Sequence, residues 1–369
     1  MNGRGRKGWT ASRAVRLRIL KHYLTIASKT GGLRSIPNHL AIREGRNVKA
    51  VWVSPVPQLI IGDVQRWAEN AKVQCSRIPG YWFEKKGHDR AIGEAPRQGE
   101  KVLYALHGGA YASLSAHPTD PTSSIPLGVL RHVPSVLRSF TLEYRLSSQT
   151  SNPFPAALLD AVAGYSYLVN DVGFSPRDII LEGDSAGGNL ALALARYLVE
   201  NQNCEFPAGV SLPAPPGLLV LSSPWCDMGD SDVVEGTSIF TNRHTDYIDL
   251  STPVSQVKLN FLGPLGFEAA NTNRYISPGS QSRSMENFSF KGFPPTFIMS
   301  GGAEVLVDQI RALRKKMVED LGDENVEYVE APDGVHDFLV FLWHEPERTA
   351  TLCQLASWIG AQTECPETP

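Results

Sequence analysis

The chain of 369 residues has no acidic residue before Glu44, no C-x-x-C pair, no internal repeat or low-complexity block, and no run of about 18 apolar residues. Each absence excludes something. Without a long apolar span, no membrane-crossing helix is expected, and the first residues also lack the continuous apolar core of a secretory signal. The five cysteines, Cys75, Cys204, Cys226, Cys353 and Cys365, are odd in number and lack metal-ligand spacing. Free thiols in a reducing compartment, with no metal and no cofactor, are the expectation. A net charge of −3 gives no electrostatic footprint for nucleic acid. With 42% hydrophobic and 20% charged residues, the chain can build one large core plus an appended cap, and two independent domains are not required.

What is present is a pentapeptide, Gly183-Asp184-Ser185-Ala186-Gly187, between the apolar run Ile179-Ile180-Leu181 and an alanine- and leucine-rich stretch ending at Tyr197. That context reads as strand, sharp turn and helix. A strained turn of this kind lifts the Ser185 hydroxyl out of a sheet, and flanking glycines let the neighbouring backbone pass closely. Upstream, Val102-Leu103-Tyr104-Ala105-Leu106 runs as a buried strand into His107-Gly108-Gly109-Ala110-Tyr111. Glycines there expose successive amides. The N–H groups of Gly108, Gly109 and Ala186 are the expected oxyanion donors. Each motif alone is a weak signal, readable as an ordinary glycine turn, but together they support one another.

A serine needs a base and the base needs an acid. Of the histidines after Ser185, His244 lies in a polar, turn-rich segment and His344 at a helix end, whereas His336 follows the strand-like Val326–Val329 run and the loop Pro332-Asp333-Gly334. That places His336 at the carboxyl edge of the sheet, where catalytic groups of open α/β sheets gather. The acid should come from the segment after the apolar run Thr296–Met299, which offers Glu304 and Asp308. Glu304 is nearer the strand end and is preferred, leaving Asp308 to support the following helix. The chain order Ser, Glu, His is that of an α/β-hydrolase.

Taken together, His107-Gly108-Gly109, Tyr144-Arg145-Leu146, Gly183 through Asn189 and Gly334-Val335-His336 resemble the hormone-sensitive-lipase-type branch of the α/β-hydrolases, the fold-3 esterases, over about residues 100 to 355. A narrower likeness, including Gly80-Tyr81-Trp82, is to fungal steryl acetyl hydrolase-like enzymes. Two departures stand out: Ala110 occupies the place of a third glycine, and Glu304 that of the commoner aspartate. Neither removes the mechanism. The resemblance implies an α/β-hydrolase fold with a mostly parallel sheet, helices on both faces and a helical cap, and a serine esterase acting on a short-chain or acetyl ester of a hydrophobic alcohol. The same triad could instead serve acyl transfer or cyclisation in a natural-product pathway, and the same fold could serve a non-catalytic ligand receptor.

Strand-like runs at 50–54, 72–78, 102–106, 139–143, 178–182, 217–222, 295–300 and 325–330 alternate with helical stretches at 155–169, 186–200, 305–320 and 347–360. Residues 1–50 and an insert at about 229–275 fall outside that rhythm and are assigned to the cap, leaving 51–369 as the catalytic domain. Tyr111, Trp225, Tyr247 and Phe338 are candidate pocket residues, with core packing as the plain alternative. In the basic N-terminal segment, Val15, Ile19, Leu20, Tyr23, Leu24 and Ala27 recur at helical spacing over about residues 10–29. That stripe is expected to cover the acyl pocket, with weak attachment to a membrane surface or a targeting role as alternatives. A cytoplasmic, or peripherally membrane-associated, protein follows. Asn287-Phe288-Ser289 matches a glycosylation sequon but, without a secretory signal, carries little weight.

Overall fold

Among the described residues eight strands form one sheet in the order β1-β2-β4-β3-β5-β6-β7-β8. They are β1 (Lys49–Val53), β2 (Ile78–Glu84), β3 (Lys101–Leu106), β4 (Val136–Leu142), β5 (Ile179–Asp184), β6 (Leu218–Ser222), β7 (Thr296–Gly301) and β8 (Val326–Ala331). Only β2 runs antiparallel to its neighbours, and every pair from β4 to β8 is parallel. The computed structural model describes residues 5–29, 37–250, 254–285 and 288–364.

The helices are α1 (Ala11–Lys29), α2 (Gly62–Ala71), α3 (Ser124–His132), α4 (Ala156–Ser166), α5 (Ala186–Glu200), α6 (Ser238–Thr241), α7 (Gln256–Leu262), α8 (Glu268–Thr272), α9 (Val307–Leu321) and α10 (Glu347–Glu364). The period-two alternation of strand side chains divides the core into two layers. In β3, Val102, Tyr104 and Leu106 join the cluster packed by α2, α4, α5 and α9, whereas Leu103 and Ala105 join that of α3, α10 and the start of α1. Because α5 is buried from Ala186 to Leu198, it must be apolar nearly all round, and its sequence ALALA supplies this.

The expected strand at 72–78 is corrected to β2. Lys72 takes a left-handed conformation that caps α2, so the chain turns there and extends only from Ile78, where pairing with β1 and β4 begins. Gly80-Tyr81-Trp82 lies inside this strand. Helices α2 and α3 stood outside the strand–helix rhythm read from sequence. Within 229–275 the described residues form α6, α7, α8, a short 3-10 helix at Gly263–Leu265 and irregular backbone, with no strand.

Helix α1 departs more sharply from expectation. Its buried residues are Arg13, Ala14 and Leu17, following Trp9, while Val15 and Ile19 of the expected stripe are exposed. The rotation is fixed by polar contacts. Arg13 makes a bidentate pair with Glu347 at 2.7 and 2.8 Å, the Trp9 indole N–H donates to the Asp333 carbonyl at 2.9 Å, and Lys21 donates to the carbonyls of Arg243 and Asp246. A bidentate guanidinium pair outweighs half-covered aliphatic surface here, because breaking it would leave buried charge unpaired. Among the described residues no helix is long and apolar enough to cross a membrane. Cys75, Cys204, Cys226 and Cys353 are free thiols, whereas Cys365 and Asn287 lie outside the described residues.

Candidate active site

Strand β5 ends in a turn at Ser185 with φ +52° and ψ −115°, a region costly for any side-chain-bearing residue. Close packing of the turn on β3 enforces it: a Cβ on Gly187 would sit 1.9 Å from the Leu106 carbonyl oxygen. The turn is pinned by Ser185 N–H donating to Ser222 O and by Trp225 N–H donating to Ser185 O, both at 2.9 Å. Ser185 is 8% exposed, and its Oγ lies 2.9 Å from Nε2 of His336.

His336 and Glu304 arrive on the loops after β8 and β7. Glu304 is fully buried; its Oε2 accepts from the Ser223 hydroxyl at 2.6 Å and from Gly301 N–H at 3.1 Å, and lies 4.0 Å from His336 Nδ1. That is an ion-pair separation, and no hydrogen bond engages Nδ1. Asp308 goes elsewhere: it accepts from Ser238 N–H at the start of α6 and pairs with Arg311.

Two carboxylates that the sequence reading passed over shape this side. Asp246, from the insert, is buried and accepts from Val305 N–H at 2.8 Å and from His336 N–H at 3.4 Å, tying the acid loop to the base loop. Asp337 follows the histidine in a left-handed conformation, φ +47°, with Oδ2 3.1 Å from His336 Nε2 and its N–H donating to the Ser223 hydroxyl. Burial pulls the imidazole pKa down, but the carboxylates of Asp337, Glu304 and Asp246 outweigh it and raise it to about 9. An acid next to the base in sequence was a readable signal for Asp337. Asp246, 90 residues from its histidine partner, had none.

Opposite the serine lies the loop after β3. The Gly108 N–H, expected as a free donor, is taken by Asp184 Oδ1 at 2.9 Å, and a Cβ on Gly108 would lie 2.4 Å from Asp184 Oδ2. This glycine therefore admits the Asp184 carboxylate. Among the described residues no backbone hydrogen bond engages the amides of Gly109 or Ala110, and Ala186 opens α5, where no helical carbonyl precedes it. Ala110 and Tyr111 both have positive φ, +56° and +58°. The Tyr144-Arg145 pair supports the loop from beneath. Tyr144 stacks on the His107 ring at 4.4 Å and donates to the His107 carbonyl, while Arg145 is anchored to Asp160 of α4. Burial lowers the His107 pKa to about 4, so this ring stays neutral at physiological pH.

Of the pocket candidates, Tyr247 sits with its ring 5.9 Å from that of His336. Trp225 is buried next to the serine turn, and Tyr111 stacks on Phe261 of α7 at 4.1 Å while its hydroxyl donates to Asn189. Phe338 is corrected to a core residue: the backbone reverses at Asp337, so the side chain enters the layer of α3 and α10 and meets His344. His344 is buried with its Nδ1 3.3 Å from Glu347, and the His244 segment lies under α1.

Residues 103–340 match the model of the alpha/beta hydrolase fold family. The chain belongs to that family. It is 32% identical over 267 residues to an acetyl-hydrolase of Streptomyces hygroscopicus, covering 70% of this chain and 75% of that one. With the esterase LipU of Mycobacterium tuberculosis it shares 30% over 276 residues, covering 74% and 82%. In fold it is similar to the crystal structure of an esterase from the bacterial hormone-sensitive lipase family, with a TM-score of 0.62 at 21% identity over 96% of this chain and 99% of that one. The expected family and fold class hold, and the family member is a carboxylic ester hydrolase.

Proposed function

We propose that the protein hydrolyses a short-chain ester, an acetate above all, of a hydrophobic alcohol, with Ser185 as nucleophile, His336 as general base and acid, and Glu304 as the group that stabilises the imidazolium. The observation that carries this reading is the 2.9 Å approach of Ser185 Oγ to His336 Nε2 on a strained turn between strand and helix. As Oγ attacks the ester carbonyl, its proton passes to Nε2 and the carbonyl electrons move onto oxygen. Among the described residues no hydrogen bond engages the amides of Gly109, Ala110 and Ala186, which are the donors assigned to that oxyanion, with Gly108 reassigned to holding Asp184. Collapse expels the alcohol, which takes the proton from Nε2; water then repeats the sequence on the acyl-serine and releases the acid.

The acetyl preference draws on the name of the Streptomyces relative, and the hydrophobic alcohol on the aromatic surroundings of Tyr247 and Trp225. Residues 1–50 and 229–275 are the proposed cap on the catalytic body: Lys21 ties the first segment to the insert at Arg243 and Asp246, and Asp246 reaches the Glu304 and His336 loops. The test is a series of p-nitrophenyl esters from acetate to dodecanoate, with activity greatest at the short end. Ser185→Ala should lower the rate by roughly 10⁴–10⁶ without unfolding the chain and abolish labelling by a fluorophosphonate. Inertness of folded wild-type protein toward every ester, or strong labelling of a different serine, would overturn the proposal.

A further inference from the structure

Helix α1 turns an apolar ridge to solvent. Val15 is 52% exposed, Ile19 65% and Ile26 43%, and their spacing of four and seven residues sets all three within one narrow face. His22 falls on the same face by spacing and is exposed. Cations flank it: Arg16 and Arg18 are exposed on either side, and Lys7 precedes the helix, whereas the acidic residues begin only at Glu44. The opposite face is already committed to Trp9, Arg13, Ala14 and Leu17 against the body, so rotation of α1 cannot bury the ridge without breaking the Arg13–Glu347 pair.

The apolar surface continues beyond the helix. The guanidinium of Arg16 lies 5.5 Å from the centre of the Trp343 ring, Trp343 stacks on Phe341, and the intervening Leu342 is 69% exposed. Phe341 in turn packs edge-on against Tyr247, whose ring neighbours His336. A chain of aromatic contacts therefore links the ridge to the base of the candidate site.

We propose that this face, Val15, Ile19 and Ile26 with Arg16 and Leu342, docks on an anionic phospholipid surface. Aliphatic side chains flanked by arginines suit the boundary between headgroup and acyl chain, with the charges at phosphate depth. A second protein with an acidic face would match the charge but would leave no reason for an aliphatic ridge to stay so exposed in the free chain, and a second copy of α1 would set arginine against arginine. Docking there would set the aromatic chain from Trp343 through Phe341 to Tyr247, which leads to His336, beside the phase in which hydrophobic esters dissolve.

The full-length protein should sediment with vesicles of phosphatidylcholine mixed with phosphatidylserine at low ionic strength, weakly with phosphatidylcholine alone, and less as salt rises. Replacing both Val15→Ser and Ile19→Ser should lower partitioning about tenfold, and Arg16→Gln about fivefold on the anionic vesicles only. Hydrolysis of p-nitrophenyl acetate in solution serves as the separate control and should be unchanged in each variant, so loss of docking and failure of the esterase reading are distinguishable. Absence of sedimentation, equal sedimentation with neutral vesicles, or variants that bind like wild type would each overturn the proposal. A vesicle-independent dimer abolished by the serine substitutions would reassign the face to self-association.

Discussion

The serine turn and the acid–base loops reach the same few ångströms of space by different means. Around Ser185 the geometry is mostly local: β5 delivers it, α5 removes it, and the crowding of Gly187 on Leu106 leaves the backbone few choices, with Ser222 and Trp225 adding one backbone bond each. Glu304 and His336 stand on loops whose positions depend on remote groups, Ser223 after β6 and Asp246 in the insert. A side chain held by its own turn can be read from a pentapeptide, whereas one held by distant hydrogen bonds cannot. The contrast also predicts where the enzyme is adaptable: Ser185, the proposed nucleophile, should be insensitive to changes elsewhere, and Glu304 and His336 should respond to their clamps.

The largest effect expected on the clamped side comes from Glu304. Glu304→Gln should lower kcat/KM on the order of 10³ to 10⁴, since in the proposed mechanism it removes the charge opposed to the imidazolium, while Asp308→Asn, which loosens the α6 contact and the Arg311 pair, should cost less than about threefold. Equal losses, or a worse Asp308 variant, would move the acid's role away from Glu304.

Asp246 measures how far the clamp itself matters. An asparagine can present one carbonyl oxygen where two carboxylate oxygens now receive Val305, Tyr247 and His336 N–H groups, so its amide must face a donor. Asp246→Asn should reduce activity by roughly tenfold and stability by about 1–3 kcal/mol, read by steady-state kinetics and denaturant melts. Full activity in a less stable protein would show that the loops hold their geometry without it.

The two sides were legible to different depths for the same reason. The apolar strands, the serine turn and the order Ser, Glu, His follow from short-range pattern, and seven of the eight strand runs overlap the observed elements over most of their length. Gly108 was read as a donor because glycine amides are free in the abstract; only the fold brings Asp184 to it. Likewise, helical periodicity marked Val15 and Ile19 as buried, but periodicity carries no knowledge of Arg13 meeting Glu347 across the molecule. Phe338 failed through one backbone angle at Asp337, which reverses the side-chain direction.

Asp337 sharpens the comparison through pH. In the proposed mechanism the free base of His336 acts, so kcat/KM should rise with pH and level off only as His336 loses its proton, above the ordinary histidine range. Asp337, whose carboxylate touches Nε2, heads the groups that hold that proton, ahead of Glu304 and Asp246. Asp337→Asn should therefore move the rising limb of the profile to lower pH by about one unit and raise relative activity near neutrality. A limb that stays in place, or moves up, would show that Asp337 does not govern the base.

The smallest effect belongs to the serine side, where geometry is local and should tolerate relief of strain. Ala110 stands where a third glycine would make the loop free, and it holds φ +56° against the clash of its own Cβ. Its side chain only lies against the edge of the core, so little packing is lost on removing it. Ala110→Gly should stabilise the fold by about 1 kcal/mol from relief of the left-handed backbone, less a few tenths for the greater entropy of the unfolded chain. Activity should stay within about twofold, since the Ala110 amide assigned to the oxyanion keeps its place. Melting temperature and kcat measured together decide it. A more stable but inactive variant would mean that the methyl group itself aims the amide, and the serine side would then be clamped like the other.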